Sequence, residues 1–269
     1  MSLPFVPVDR SKMDTRSLLA AFDRDQRREI TYPGVQRESF SHLVRFVRPP
    51  ANSSFILYTD LDETSADGVI DEQITHFTHQ GRPFSWKVYA HDRPADLVPR
   101  LLERGFTAGE EEAVMVLDVT TAHQWLPASP QIPVTRLENR SQLRDVAAVL
   151  ESVWAIDFDW VYERMGEHMA LPDYLSVFVA YVDGVPASTG WIYYNPGLFA
   201  GLWGGSTLEA FRGRGLYTAV LAARAQEAQQ RGVRYLVIDA GDMSRPILER
   251  HGFKLLTFTT ECRWEVSAE

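Results

Sequence analysis

The chain has 269 residues, 45% of them hydrophobic and 12% aromatic, which excludes a disordered tail protein or a stapled mini-protein and suffices for one large domain or two of about 130 residues. Its 27 basic and 36 acidic residues leave a net charge of −9, so no overall positive field marks it as a nucleic-acid binder. The single cysteine, Cys262, can form neither an internal disulfide nor a thiolate metal cluster, as expected of a reducing, cytoplasmic compartment.

Residues 1–10 lack the apolar core of a signal peptide, and no apolar run reaches the about 18 residues of a membrane span, so no membrane partner is expected. Behind Asp14 as a cap, Leu18, Leu19 and Phe22 at helical spacing predict an amphipathic helix over 11–28. Strands over 42–47 and 54–58 follow, then a helix over 69–80 ended by Gly81. A strand over 86–90, a helix over 95–104 stopped by Gly105 and a strand over 113–119 complete an α+β unit. Three prolines in 120–133 read as a linker, placing a domain boundary near 128 between units 1–128 and 129–269.

The second unit opens with a strand over 134–137 and helices over 143–154 and 160–169. Strands over 175–182, 190–194 and 198–208 are separated by the turn signals Asp183-Gly184 and Asn195-Pro196-Gly197. A long helix over 213–230, a strand over 235–239, a short helix over 245–250 and a strand-rich segment over 253–266 follow. The strand, loop, long helix, strand succession is a crossover of the kind that joins parallel strands. Leu102-Glu103-Arg104-Gly105-Phe106 recurs, with one residue inserted, as Leu248-Glu249-Arg250-His251-Gly252-Phe253. Each copy lies between a strand-helix pair and a further strand, which points to an internal duplication.

The chemistry concentrates in Thr207-Leu208-Glu209-Ala210-Phe211-Arg212-Gly213-Arg214-Gly215-Leu216-Tyr217, between a glycine-containing strand and the long helix. Gly213 and Gly215 permit a tight loop with inward N–H groups, and the helix start adds unpaired donors and the positive end of its dipole. With Arg212 and Arg214 the loop suits a diphosphate, although Arg-Gly-Arg-Gly alone equally describes a solvated helix entry. A Walker loop is absent, and a dinucleotide fingerprint fails at Thr218, where its third glycine would fall.

In context the loop resembles the acetyl-coenzyme A loop of the GNAT superfamily of N-acetyltransferases, Gln/Arg-x-x-Gly-x-Gly/Ala. Arg212-Gly213-Arg214-Gly215-Leu216-Tyr217 fits it at all but the last position, where Tyr217 replaces a small residue. The resemblance extends over the C-terminal half and implies a mixed, mostly antiparallel sheet flanked by helices, in tandem with a second such unit. It implies that Gly205, Ser206 and Thr207 offer backbone groups to pantetheine and that the amides from Arg212 to Tyr217 hold the diphosphate. It also implies that the strand over 198–208 splays from that over 235–239, and Gly204-Gly205 suits a strand that bulges or approaches a ligand.

The implied reaction is direct acetyl transfer from acetyl-coenzyme A to the amine of a small-molecule acceptor, without a metal, by a monomer or homodimer. A mycothiol-synthase-like acetyltransferase, an aminoglycoside-type acceptor and a non-catalytic acyl-coenzyme A sensor are the alternatives. Two departures matter: Leu248 stands where many members carry a tyrosine that protonates the leaving thiolate, and Gly241 where an asparagine is common. A general base is needed because a free amine is largely protonated at neutral pH. Asp239 is the first choice for it, ahead of Asp242, Asp157 and Asp159, each of which also reads as a cap or turn residue.

The N-terminal unit has acids where the loop would fall, at Asp60, Asp62, Glu63, Asp67 and Asp71, and reads as a degenerate copy without cofactor. His76 and His79 with Glu72 suit a polar helix face better than a metal site. Most of the seven tryptophans are expected in the core, although Trp154 and Trp160, with Phe158, fall where acceptor-binding helices belong in the family. Cys262, in an alternating strand, reads as an inert buried residue.

Overall fold

The computed structural model describes residues 13–49, 52–124 and 132–266. Residues 1–10, the boundary near 128 and Trp125 lie outside them. Asp14 caps α1 (Thr15–Phe22) as expected, its carboxylate accepting the Ser17 N–H at 2.9 Å. The helix then widens into a π-helical segment over Asp23–Arg28. There follow β1 (Gln36–Ser39), β2 (Leu43–Val47), β3 (Ser54–Thr59), α2 (Ala66–His79), β4 (Phe84–Tyr89), α3 (Leu97–Glu103) and β5 (Thr107–Asp118). The second half comprises β6 (Val134–Arg136), α4 (Leu143–Trp154), a π-helical turn over Val161–Met165 and α5 (Gly166–Met169). After these come β7 (Leu175–Val182), β8 (Val185–Tyr194), β9 (Phe199–Thr207), α6 (Leu216–Gln230), β10 (Tyr235–Ala240), α7 (Arg245–Arg250) and β11 (Lys254–Trp264).

The sequence reading is corrected at two strands of the N-terminal half. The strand expected from 113 begins at Thr107, because Glu110 and Glu111 stand on its exposed end, and the half-buried Glu112 continues it, rather than forming a turn. The four polar residues of β1 carry no alternating apolar signal, and this edge strand exists through its pairing with β2.

The two expected sheets join into one, of eleven strands among the described residues, in the order β1-β2-β3-β4-β11-β5-β10-β9-β8-β7-β6. All neighbours are antiparallel except β3 with β4 and β10 with β9, the two crossover positions. The halves have exchanged their last strands: β11 pairs with β4 and β5, and β5 pairs with β10. The internal repeat explains the symmetry. Leu101 and Leu248, both fully buried, each offer a carbonyl to the N–H of a buried phenylalanine five residues on, Phe106 and Phe253. The repeat therefore needs no inserted residue, because Leu101 rather than Leu102 corresponds to Leu248. Gly105 and Gly252 end the two helices at φ of +91° and +83°, a conformation that favours glycine.

Alternation along the strands fixes which helices cover each face. On β10, Leu236 and Ile238 pack with α6 and α7, while Tyr235 and Val237 face a cluster with Ala21 and Phe22 of α1. The α2–α3 pair covers the corresponding face of the N-terminal half, around Phe77, Trp86 and Leu101. On the opposite face, α4 packs on Val177, Val179 and Trp191. One buried carboxylate ties the halves together: Asp25 accepts the Leu198 N–H at 2.9 Å, across the turn that precedes β9.

Candidate active site

The apolar strand β9 and its crossover partner β10 pair for only three residues, Phe199 with Tyr235, Ala200 with Leu236 and Gly201 with Val237. Beyond Gly201 the strands part, as the sequence led one to expect, and β9 continues alone beside β8. The register between β8 and β9 shifts from Trp191–Trp203 to Thr189–Ser206, so Gly204 and Gly205 bulge opposite Gly190. Sterics make both glycines necessary. A Cβ on Gly204, at φ +60°, would lie 1.7 Å from the Trp191 ring, and one on Gly205 would lie 2.9 Å from the Tyr217 ring. Tyr217 thus occupies the volume that Gly205 vacates, which accounts for a large residue at that position of the loop.

Past Thr207, a single 3-10 turn (Glu209–Phe211) leads into the loop, and Gly213 and Gly215 adopt φ of +75° and +81°. Arg212 to Gly215 are exposed. The first intrahelical bond runs from the Ala219 N–H to the Gly215 carbonyl, and helix geometry leaves the N–H groups of Leu216, Tyr217 and Thr218 without partners inside α6. Arg212 donates through Nε to the Thr207 carbonyl at 3.3 Å, and Arg214 lies 5.2 Å from the Phe211 ring centroid. This is a shaped, open, positively charged turn that suits a diphosphate. The carbonyl of Ser206 accepts from Ser188 at 3.0 Å, and its hydroxyl accepts the Trp154 indole N–H at 3.1 Å.

The topologically equivalent loop of the N-terminal half, after β3, is closed by its own hydrogen bonds. The Asp62 carboxylate accepts the N–H groups of Thr64 and Ser65 and the Thr64 hydroxyl, and these bonds draw its pKa down to about 2. The Asp62 carboxylate thus engages the first amides of this loop. Asp67 and Asp71 lie outside this loop, on α2, where they pair with Arg100 and Arg104.

Asp239 stands two residues past the last β9–β10 pair, on the face of β10 shared with Val237. Its carboxylate bonds to the Lys87 ammonium of β4, whose nitrogen is also 5.9 Å from the Trp203 ring centroid on β9. Lys87 therefore spans the mouth of the gap. Burial disfavours its charge, but the Asp239 carboxylate more than compensates and holds its pKa above the ordinary lysine value. Glu112, on the exchanged strand β5, faces the same pair; burial and then the Asp239 charge raise its pKa. Reading the sequence by itself misses Lys87 and Glu112, because strand exchange brings them to β10 from more than 100 positions away.

The other carboxylates are placed differently. Asp242 is exposed beyond β10, and Asp157 and Asp159 form an exposed acidic group with Glu151, with no ion present in it. Leu248 is fully buried in the core and offers no proton. His76 bonds to Gln80 on the α2 surface. Of the six described tryptophans, Trp86 and Trp191 are core residues and Trp264 packs partly buried against the core, whereas Trp154, Trp160 and Trp203 are 55%, 37% and 49% exposed, so fewer are buried than expected. Trp154 reaches β9 from the end of α4, and Trp160 stacks near Arg164 at 4.9 Å. Cys262 is fully buried.

Residues 141–253 match the acetyltransferase (GNAT) family model. No curated protein shows a significant match. The fold is similar to that of a GCN5-related N-acetyltransferase from Kribbella flavida, at 15% identity over 93% of each chain with a TM-score of 0.67. It is also similar to a conserved protein of unknown function from Staphylococcus epidermidis, at 17% identity over 89% of this chain and 99% of that one, TM-score 0.67. A tandem GNAT protein from the clavulanic acid biosynthesis pathway shares 13% identity over 89% and 86% of the two chains, with a TM-score of 0.60. These likenesses are of fold, and they span both halves. The chain thus carries an acetyltransferase domain of the GNAT family in its C-terminal half, joined through one sheet to a second unit of related topology.

Proposed function

We propose that the protein transfers an acetyl group from acetyl-coenzyme A to the amine of a small-molecule acceptor. The observation that carries this reading is the gap between β9 and β10 leading directly into the open glycine loop at the start of α6. Gly205, Ser206 and Thr207 line the pantetheine path, and the amides of Arg212, Gly213, Arg214, Gly215, Leu216 and Tyr217 surround the diphosphate. The acceptor approaches across the face that holds Asp239, Lys87 and Glu112, beside the exposed rings of Trp154 and Trp203.

In the reaction the amine nitrogen bonds to the thioester carbonyl carbon, the carbon–sulfur bond breaks and the thiolate leaves. Positioning the two reactants supplies much of the acceleration. A carboxylate takes the amine proton. Asp239 is at the gap, bonded to Lys87, while Glu112 has the raised proton affinity of a better base; the two form one acid–base unit. With Leu248 in the core, water supplies the proton to the thiolate. The N-terminal half binds no cofactor, since Asp62 fills its loop.

Release of free thiol from acetyl-coenzyme A across a panel of amines, beside a calorimetric titration of the same compound, tests this reading. Stoichiometric binding with no thiol release on any amine would favour the non-catalytic sensor, which the burial of Leu248 also suits. No binding at all would remove both.

A further inference from the structure

The core of the acetyltransferase domain contains a cation with no counter-ion among the described residues. Arg224, in the third turn of α6, is completely shielded from solvent. Its Nε donates to the Val220 carbonyl at 3.2 Å, and its Nη1 to the carbonyls of Trp191 at 3.4 Å and Trp203 at 3.3 Å. Among the described residues Nη2 has no hydrogen-bond partner and no carboxylate pairs with the guanidinium. Burial lowers its pKa to about 10, which leaves it charged at neutral pH. An uncompensated buried charge is among the costliest features a core can carry. The sheet even gives up a side chain to admit it, since a Cβ on Gly190 would lie 2.9 Å from Cζ.

The two carbonyls that share Nη1 belong to the pair Trp191–Trp203, opposite each other where the β9 bulge begins. The Trp203 C=O and the Gly204 N–H belong to one trans peptide and point in opposite directions. Holding the oxygen toward α6 and β8 therefore turns the N–H toward the side from which β10 has departed. We propose that Arg224 is a positioning residue for acyl transfer, its guanidinium pinning the Trp191 and Trp203 carbonyls so that the Gly204 N–H meets the thioester oxygen in the gap. This rests on the acetyl-transfer reading above. A preorganised donor at that point stabilises the negative charge that develops on the carbonyl oxygen, and the buried cation behind it strengthens the effect.

The test compares Arg224→Met and Arg224→Lys with the wild type by kcat, acetyl-coenzyme A affinity, thermal midpoint and the Gly204 amide resonance with coenzyme A and with acetyl-coenzyme A. The methionine variant is expected to lose roughly 10²-fold in kcat. Its affinity for coenzyme A should stay within about threefold and its midpoint should not fall, because removing an unpaired buried charge relieves the core. The Gly204 resonance should differ between the two ligands in the wild type and coincide in the variant. A kcat within about twofold of wild type, or a rate loss that only follows a fall in midpoint, overturns the assignment. Should the methionine variant fail to fold, the lysine variant decides: a slower kcat at unchanged affinity supports the inference, and wild-type kcat refutes it. If the wild type binds acetyl-coenzyme A yet turns nothing over, the Gly204 resonance alone decides. Failure of the wild type to bind acetyl-coenzyme A overturns the functional reading, and this one with it.

Discussion

Replacing Gly215 with valine perturbs the proposed cofactor loop at a point where the structure separates backbone strain from steric clash. Gly215 has φ +81°, and the nearest atom to a Cβ built there is the Ile132 methyl at 3.5 Å, an ordinary contact. The cost is therefore conformational, about 1–2 kcal/mol for an L-residue in the left-handed region, toward the upper end for a β-branched one. The variant can relieve it by rotating φ to negative values, which turns the loop amides away from their common centre. Binding must then restore the strained form, so acetyl-coenzyme A affinity should fall by a factor of roughly 5–30, measured by calorimetry. Gly232→Val is the matched control: its φ is +77°, nothing lies within 4 Å of its Cβ, and it stands at the far end of α6. It should lose comparable thermal stability and keep its affinity. Unchanged affinity in Gly215→Val, or an equal loss in Gly232→Val, would refute the assignment of the diphosphate to this loop.

Glu112→Gln and Asp239→Asn should each lower kcat on the order of 10²-fold with little change in acetyl-coenzyme A affinity, because proton removal belongs to the transition state. The wild-type rate should rise with pH through the raised pKa of Glu112, and loss of that limb in Glu112→Gln is the check. The fragment 129–269 removes both neighbours of β11 and one of β10, so it should aggregate or self-associate on size-exclusion chromatography; a well-behaved monomer would contradict the importance of strand exchange. Asp62 has a folded pKa of about 2, below its ordinary value, so its contribution is present above about pH 4 and fades as pH falls toward 2. The Thr64 and Ser65 amide resonances should titrate with that midpoint, and in Asp62→Asn they should not. Cys262, fully buried with its thiol raised to about 11, should resist a thiol reagent at pH 8 until the protein unfolds.

Local signals in the sequence determined most of the elements and the loop. The apolar spacing in α4 and the turn residues around β7 depend on neighbours a few positions away, and the arginine-glycine loop before α6 is a contiguous motif. The parting of β9 from β10 was implied by the family resemblance, and Gly204-Gly205 agreed with it by marking a bulge within one strand. Tertiary structure alone decided which strands meet. Interior strands of both halves present similar apolar faces, so nothing local to β11 or β5 says that each belongs beside the other half's strands. That exchange brings Lys87 and Glu112 to Asp239 and makes the candidate acid–base face a joint product of the two units. Likewise Arg224 reads in sequence as one more polar helix residue. Its isolation as a buried cation under the bulge follows only from the glycine at 190 across the sheet, because burial and hydrogen-bond partners are properties of packing rather than of sequence neighbours.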